Sequence, residues 1–582
     1  MTHIWARSSS WVALFPALAL VAMWLSTAAV SCKDRKGGNS GQRQRAVVRR
    51  HTPRSREPCS SLTSEMFKDG TFLKNYAHAC VSKGVSMRGS PEQETHRTLR
   101  IGSLCTGSCI DAIAMDALTS GLAEEGIDVT FESAFLVEKD NDKRAFCMNV
   151  HSALGCSVSP CAFEDVATFC QPEGRYCAHH QKACELPRRL DGLIAGFSCK
   201  DFSRANKARK LFHGADVFTA EHSPGQSADT IRGLLQVLDT CPPDFFLLEN
   251  VDDLAMELHG EALDMLLSAG SHRGYDCHSY ILDAADFGLA QSRRRLFILG
   301  MLRPGRGFKI RDYTRFFSQV TELLQAFRIS GPSLDAVLLE EEDEQIQQEL
   351  ARRQQLKQKG WDSSTIDVHR QAWASKGLRW QAAKASPADV RSPWFEALPL
   401  RERDVVAFHQ HTHKSRALTS ATLEEKKASL APLCACDVSQ SIYRASHSCL
   451  GPDDRLVSCT VLPGSKIFLS IETGNELACE RNVHRLLHGS EALNLIGWPV
   501  RDPRLSPLVA SHTSKFLTNL GGNAFASPII VAFVCAMLFS VDELTVDRQS
   551  GDAAEGPAPE RAEVDEAIRL YQCINSLRIV ED

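Results

Sequence analysis

The chain reads as an α/β protein: a doubly wound, mostly parallel sheet with helices on both faces, joined by a smaller second domain. Three observations predict this. Apolar strand-like runs alternate with helix-period stretches, as in "HRTLRIGSLCTGSCIDAIAMDAL" (96–118). Residues able to do chemistry stand just past the ends of those runs, where α/β folds place reacting groups. Residues 306–480 break the alternation, with a charged helix at "LEEEDEQIQQELARRQQLKQ" (339–358) and short strands with irregular links in "DVSQSIYRASHSC" and "SCTVLPGSKIFLS".

Length and composition bound the rest. A chain of 582 residues can build two or more domains with sizeable cores. A 43% hydrophobic and 24% charged composition is that of a globular protein, and a net charge of -5 means any surface for a polyanion must be local. The 21 cysteines are scattered over the chain, which suits reduced thiols in an intracellular protein better than a disulfide scaffold.

The N-terminus points elsewhere. "WVALFPALALVAMWLSTAAV" (11–30) carries no charge, is of borderline length for a membrane span, and ends in the small residues of a signal-cleavage region. A basic stretch follows at 33–57, with nine Lys/Arg against two acids. Residues 1–60 read as a targeting-like or disordered leader, with membrane contact through 11–30 or an organelle address as alternatives to a start with no targeting role. Residues 61–95 read as a linker or N-terminal extension, 96–305 and 481–540 as the two parts of one α/β domain, and 541–582 as a largely disordered tail.

The first strand ends near Leu104 and runs into a turn at "SLCTGSC" (103–109). Gly107 there lets backbone N–H groups approach a ligand, although a plain tight turn has the same pattern. Ile110, Ile113, Ala114 and Ala117 then share one helix face. Glu138 ends the next strand, where nucleotide-binding folds place an acid on ribose hydroxyls. "DGLIAGFSCKDFS" (191–203) sets Cys199 in a turn after a buried strand; it is either inert filling or a nucleophile. "LLENVDDL" (247–254) puts Glu249 past another apolar run, where desolvation could keep it protonated. "QSRRRLFILG" (291–300) sends Arg293 and Arg295 to the same side of a strand head.

Taken together and in this order, these segments resemble the cytosine-C5 DNA methyltransferases. That family's Gly-x-Pro-Cys-x-x-Phe-Ser motif is similar to "GFSCKDFS", its Glu-Asn-Val to "ENV" (249–251), and its Gln-x-Arg-x-Arg to "QSRRR" (291–295). "RLLHGSEALNLIGWP" (485–499) and "GGNAFASPIIVAFVCAML" (521–538) match its closing segments. The resemblance implies a Rossmann-like methyltransferase domain that uses S-adenosylmethionine, with a target-recognition domain at 306–480 inserted before the last motifs. It implies Cys199 as nucleophile, Glu249 on the cytosine N3, Arg293 on O2 and Arg295 beside it. Leu104, Gly107, Glu138, Asp165 ("FEDV") and Asn523 would hold the cofactor. It further implies double-stranded DNA with a flipped cytosine as substrate, no metal, a monomer, and a nuclear location. The basic run 200–213, with five Lys/Arg and one acid, would close on phosphates.

The sequence departs from that pattern at Ser198 (for Pro), Ser103, Cys105 and Cys109 in the first motif, and Asp283 and Ala290 before the arginines. An RNA cytosine-C5 methyltransferase and a DNA- or cofactor-binding regulator are the rival readings. Zinc binding by Cys170, Cys177, His179, His180 and Cys184 is a third; it is disfavoured because their spacing matches no paired Cys-x-x-Cys pattern.

Overall fold

Seven strands form the central sheet: β1 (Arg97–Leu104), β2 (Val129–Val137), β3 (Cys161–Phe163), β4 (Leu190–Gly196), β5 (Pro243–Val251), β6 (Tyr275–Asp283) and β7 (Arg294–Leu302). Their order is β3-β2-β1-β4-β5-β7-β6. The computed structural model describes residues 62–91, 96–156, 159–204, 206, 226–256, 260–356, 361–380, 392–419, 435–447, 455–471 and 482–544. The leader, the tail beyond 544 and most of the basic run 200–213 lie outside them.

The first five strands are mutually parallel, and β7 runs antiparallel between β5 and β6. The predicted doubly wound α/β sheet is therefore present, with the arginine-headed strand as its one reversal. Strand β5 is apolar on both faces because helices cover both; Phe245 through Leu248 are all buried. Helices α1 (Phe72–Arg88), α2 (Ile110–Glu124), α3 (Asn141–Ala153), α4 (Ser227–Thr240), α5 (Gly260–His272) and α6 (Tyr313–Ala326) supply much of that cover. On α4, Ile231, Leu234, Val237 and Leu238 are buried at helical spacing while the opposite face is wet.

One row of residues crosses the sheet in register: Phe163, Val137, Leu104, Ala195, Leu248 and Ile298. Beyond that row, on the carboxyl side of the parallel strands, stand Asp165, Glu138, Gly107 and Cys199 past their strand ends, and Glu249 among the last residues of β5. Because β7 is reversed, its first residues reach the same edge, and Arg295 pairs with Val251.

A smaller antiparallel sheet holds Ser446–His447, β8 (Ala435–Asp437), β9 (Ile467–Ile471) and β10 (Val483–Leu486) in that order. Helix α7 (Leu400–Thr419) contacts its β8 strand. Strand β10 lies past the expected boundary at 480 because its backbone completes this sheet. Two further stretches differ from the expected division. Helix α1, in the stretch read as a linker, buries Leu73, Tyr76, Ala77, Cys80 and Val81 in the main core. Helix α6 and the pairing of Phe308–Lys309 with Glu543–Leu544 tie residues 306–326 to the main domain.

After β10 the chain returns through α8 (Ser514–Asn523) to α9 (Ser527–Leu538). Every residue of α9 is buried, and it packs against α1, α2 and α6. The run Ser514–Leu538 is long and apolar enough to cross a membrane, but it is almost wholly buried, which marks it as a core element.

Arg485 and Glu491 lock the return. Arg485 is fully buried and donates to Glu491 Oε2 at 2.8 Å, Glu491 Oε1 at 2.7 Å and the Leu339 carbonyl at 2.8 Å. Glu491 also accepts from the backbone N–H of Leu339 and of His488. Burial pushes its carboxyl up, but Arg485 first and the His488 N–H second hold it below the usual range. Replacing Glu491 by Ala would take the buried carboxylate from Arg485 and leave it the half-exposed Glu341, 3.5 Å from its Nε. The expected loss in unfolding free energy is about 3–5 kcal/mol, read from a denaturant midpoint. A loss well under about 1 kcal/mol would show that the pair is not desolvated as described.

Candidate active site

The turn carrying Cys199 is fixed from four sides. Asn250, buried at the end of β5, donates from Nδ2 to the Phe197 carbonyl at 3.2 Å. The Ser198 N–H donates to Thr230 Oγ1 on α4 at 3.1 Å. Asp201 and Ser227 bond reciprocally: the Ser227 N–H reaches Asp201 Oδ2 at 3.1 Å, and the Asp201 N–H reaches Ser227 Oγ at 3.3 Å. The Cys199 carbonyl itself accepts from the N–H groups of Phe202 and Ser203. Below the turn, a Cβ built on Gly196 would come within 2.5 Å of the Phe525 ring, so only glycine lets these segments meet.

The Ser198 departure has a physical reading here. A proline at this position would fix φ but could not donate to Thr230. The serine turn is held by that hydrogen bond instead. Asp283 plays a similar part for the arginines: its Oδ1 accepts from the N–H groups of Arg293 (2.9 Å) and Ala285 (3.1 Å), and its Oδ2 from Ser292 Oγ (2.9 Å).

Cys199 is half-buried and lies within the electrostatic field of Glu249, Arg295 and Arg293. Burial first, and then the Glu249 carboxylate, push its thiol up, while the two arginines pull against them. Glu249 is raised too, by burial that outweighs both arginines. Arg295 Nε stands 3.2 Å from Glu249 Oε1. Burial thus displaces both the carboxyl and the thiol toward their neutral forms, while the arginines lower the cost of either anion.

Arg293 differs from its sequence expectation. Its Nη1 donates to the Val461 carbonyl (3.1 Å) and its Nη2 to those of Gly522 (3.2 Å) and Ala524 (2.7 Å), leaving a buried Nε without a hydrogen-bond partner. Burial and Arg295 pull its guanidinium down to about 9, which still leaves it charged at neutral pH. Arg293 thus ties the strand head to the small-domain segment and to the end of α8, and Arg295 is the guanidinium beside the carboxyl.

The turn after β1 forms the neighbouring part of the edge. Gly107 sits at φ +56, and among the described residues a Cβ there would meet nothing nearer than the Cys105 carbonyl at 3.8 Å, so these residues leave the space above it open. Its N–H donates to Glu138 Oε2 at 2.9 Å, while Glu138 Oε1 accepts from the Asp140 N–H. Asp165 pairs with Lys139 Nζ at 2.9 Å and accepts from the Ala167 N–H, which keep its carboxyl below the usual range. Cys105 lies in the field of both acids, and burial followed by those charges pushes its thiol up to about 12. Open space above a backbone turn, flanked by two carboxylates with spare acceptor capacity, fits a nucleoside bearing ribose hydroxyls and an exocyclic amine. Leu104 is buried in the sheet and acts through position. Asn523 is exposed, and its Nδ2 turns back to Asn519, so its backbone neighbours, held by Arg293, are what it brings to the site.

Asn250, Thr230, Ser227 and Asp283 escaped the sequence reading as site residues. Only Asn250 carried a usable signal, by standing inside the Glu-Asn-Val tripeptide. Arg204, at the start of the basic run, is paired with Asp253 at 2.8 Å and Asp252 at 3.9 Å.

Comparison with known proteins adds a family. The model of the C-5 cytosine-specific DNA methylases matches residues 174–536. The chain is similar to DNA (cytosine-5-)-methyltransferase DMT5 of Cryptococcus neoformans var. grubii, at 24% identity over 479 residues, covering 80% of this chain and 18% of that one. It is also similar to type II methyltransferase M.NgoPII of Neisseria gonorrhoeae, 31% identical over 121 residues, covering 20% of this chain and 30% of that one. The chain therefore spans less than a third of the length of either relative. Among solved structures, Dnmt2 methyltransferase of S. pombe covers 76% of this chain and 98% of its own, at 14% identity and a TM-score of 0.38.

The electrostatics give a signed expectation. Iodoacetamide alkylation of Cys199, followed by mass spectrometry of its peptide, should rise with pH along a curve displaced above the ordinary thiol range of about 8.5. Glu249→Gln removes the negative neighbour and moves the curve to lower pH. Arg295→Gln removes a positive neighbour and moves it to higher pH. Superimposable curves for all three proteins would mean these groups do not share one field.

Proposed function

Because the chain belongs to the C-5 cytosine-specific DNA methylases, we propose that it methylates C5 of cytosine in double-stranded DNA with Cys199 as nucleophile. One observation carries this reading. The Cys199 thiol, the raised Glu249 carboxyl and the Arg295 guanidinium share one electrostatic cluster at the same sheet edge as the open Gly107–Glu138 turn.

S-adenosylmethionine, when bound, supplies a methyl group made electrophilic by its sulfonium. Glu138 is suited to the ribose hydroxyls and Asp165 to the adenine amine, with the Gly107 turn giving the backbone close approach. Cytosine C5 is a poor nucleophile on its own. Loss of the Cys199 thiol proton to solvent and addition of the sulfur to C6, with proton donation from protonated Glu249 to N3, leaves an electron-rich C5–C6 enamine that can take the methyl. Arg295 favours the charge that develops toward O2 and keeps Glu249 oriented. Loss of the C5 proton to a base and breaking of the S–C6 bond then free Cys199, and N3 returns its proton to Glu249. The base must be flipped out of the duplex to meet a thiol in this turn.

Duplex DNA containing 5-fluorocytosine cannot lose the C5 substituent, so the wild-type chain with S-adenosylmethionine should form a denaturation-resistant adduct that Cys199→Ala does not form. Glu249→Gln should slow methyl transfer about 10²–10⁴-fold. DNA binding without adduct would favour the regulator reading, and faster methyl transfer to tRNA than to DNA would move the substrate to RNA.

A further inference from the structure

We propose that Cys161, Cys177, His180 and Cys184 form a structural zinc site that fastens a hairpin to the edge of the central sheet. The four ligand atoms lie within 4.8 Å of one another. His180 Nδ1 is 3.6 Å from Cys161 Sγ, 3.4 Å from Cys177 Sγ and 3.4 Å from Cys184 Sγ. A tetrahedral zinc with Zn–S of about 2.3 Å and Zn–N of about 2.05 Å requires S···N separations of about 3.6 Å. All three distances fit that geometry. Three sulfurs and one imidazole nitrogen make a complete Cys3His set with no position left for water, the pattern of a structural rather than a catalytic site.

The surroundings are built for a thiolate. Cys177 is buried, and its Sγ accepts from the N–H of Ala162 at 3.2 Å and from that of His180 at 3.4 Å. Such N–H···S bonds are the outer-shell support that metal-bound sulfurs receive. The Cys177–Cys184 stretch is a tight knuckle: Tyr176–Cys177 pairs with Lys182–Ala183, and Gln181 turns the chain at φ +53. A non-glycine residue in that region is uncommon, and the ligand set gives it a reason.

The site also answers a structural need. Among the described residues β3 is an edge strand, paired with β2 on one side only. Its outer side would present unpaired backbone groups, the usual liability of an edge. Here the hairpin covers it, because the Ala178 N–H donates to the Ala162 carbonyl at 2.8 Å and Cys177 Sγ takes the Ala162 N–H. A metal joining Cys161 on the strand to three ligands on the hairpin would hold that cover in place, just upstream of Asp165. The sequence reading put Cys170 and His179 in this cluster and left Cys161 out. In the structure Cys170 is buried in the apolar core and His179 is exposed.

The test uses the full chain, loaded with zinc and desalted, with metal measured by mass spectrometry. About one zinc per chain is expected. Cys161→Ser and Cys184→Ser should lose it, while Cys170→Ser and His179→Ala keep it. Cobalt in place of zinc on the wild-type chain should give the thiolate charge-transfer and tetrahedral ligand-field bands of such a site, a readout that does not depend on any variant folding. Failure of the wild-type chain to retain zinc, absence of those cobalt bands, or retention of full zinc by a folded Cys161→Ser protein would each overturn the assignment.

Discussion

The register of the central sheet is the constraint on which the rest depends. A single row from Phe163 to Ile298 runs across six strands, and Gly107, Glu138, Asp165, Cys199 and Glu249 stand one to four positions beyond it. Side-chain direction alternates along a strand, so a slip of one residue in β5 would turn Glu249 to the other face and replace it with Asn250 or Leu248. Both faces of β4 and β5 are apolar and buried, so the resistance to such a slip comes from shape: Gly192 lies against the Phe245 ring and Gly196 against the Phe525 ring, and a shift would drive a larger side chain into those rings. Reversal of β7 matters for the same reason. It brings the beginning of an arginine-headed strand, rather than its end, to the edge where the thiol turn emerges.

At that edge the chemistry is set by competition between burial and charge. Burial pushes both Cys199 and Glu249 toward their neutral forms, and the arginines pull both toward the anion without overcoming it. With the two arginines unequal in their commitments, the balance is adjustable. Arg293 is consumed by main-chain carbonyls from two distant segments, while Arg295 faces the carboxyl directly. The first is a tie between lobes that happens to carry charge into the site, and the second is a local partner.

Closure of the fold is long-range. Helix α9, the Arg485–Glu491 pair and the Trp498 indole, which donates to the Ser108 carbonyl at 3.1 Å, bring the last part of the chain back against the first motif. The small antiparallel sheet is thereby inserted between two halves of one core. Such an arrangement orders slowly in principle, since contacts between residues several hundred positions apart must form before the core is sealed.

Much of this was legible in the chain itself. Alternating apolar runs determined the sheet and its helical cover, and the residue types after each run pointed to Cys199, Glu249, Arg293, Arg295, Gly107 and Glu138, because composition and period are local properties; Asp165 came only from the family resemblance. Tertiary structure decided what each of them touches. Nothing in "QSRRR" distinguishes the arginine that binds three carbonyls from the one that faces Glu249. Nor does "GFSCKDFS" reveal that Thr230 and Ser227 replace the rigidity of a proline, since those partners arrive from a helix many residues away. The cysteine–histidine cluster was considered and disfavoured on its spacing for the same reason: three of its members are close in sequence, but the fourth, Cys161, joins them only when β3 and the hairpin are laid side by side. Sequence pattern reports which groups are present and which way a strand or helix turns them. Pairwise geometry between distant segments is fixed only by packing.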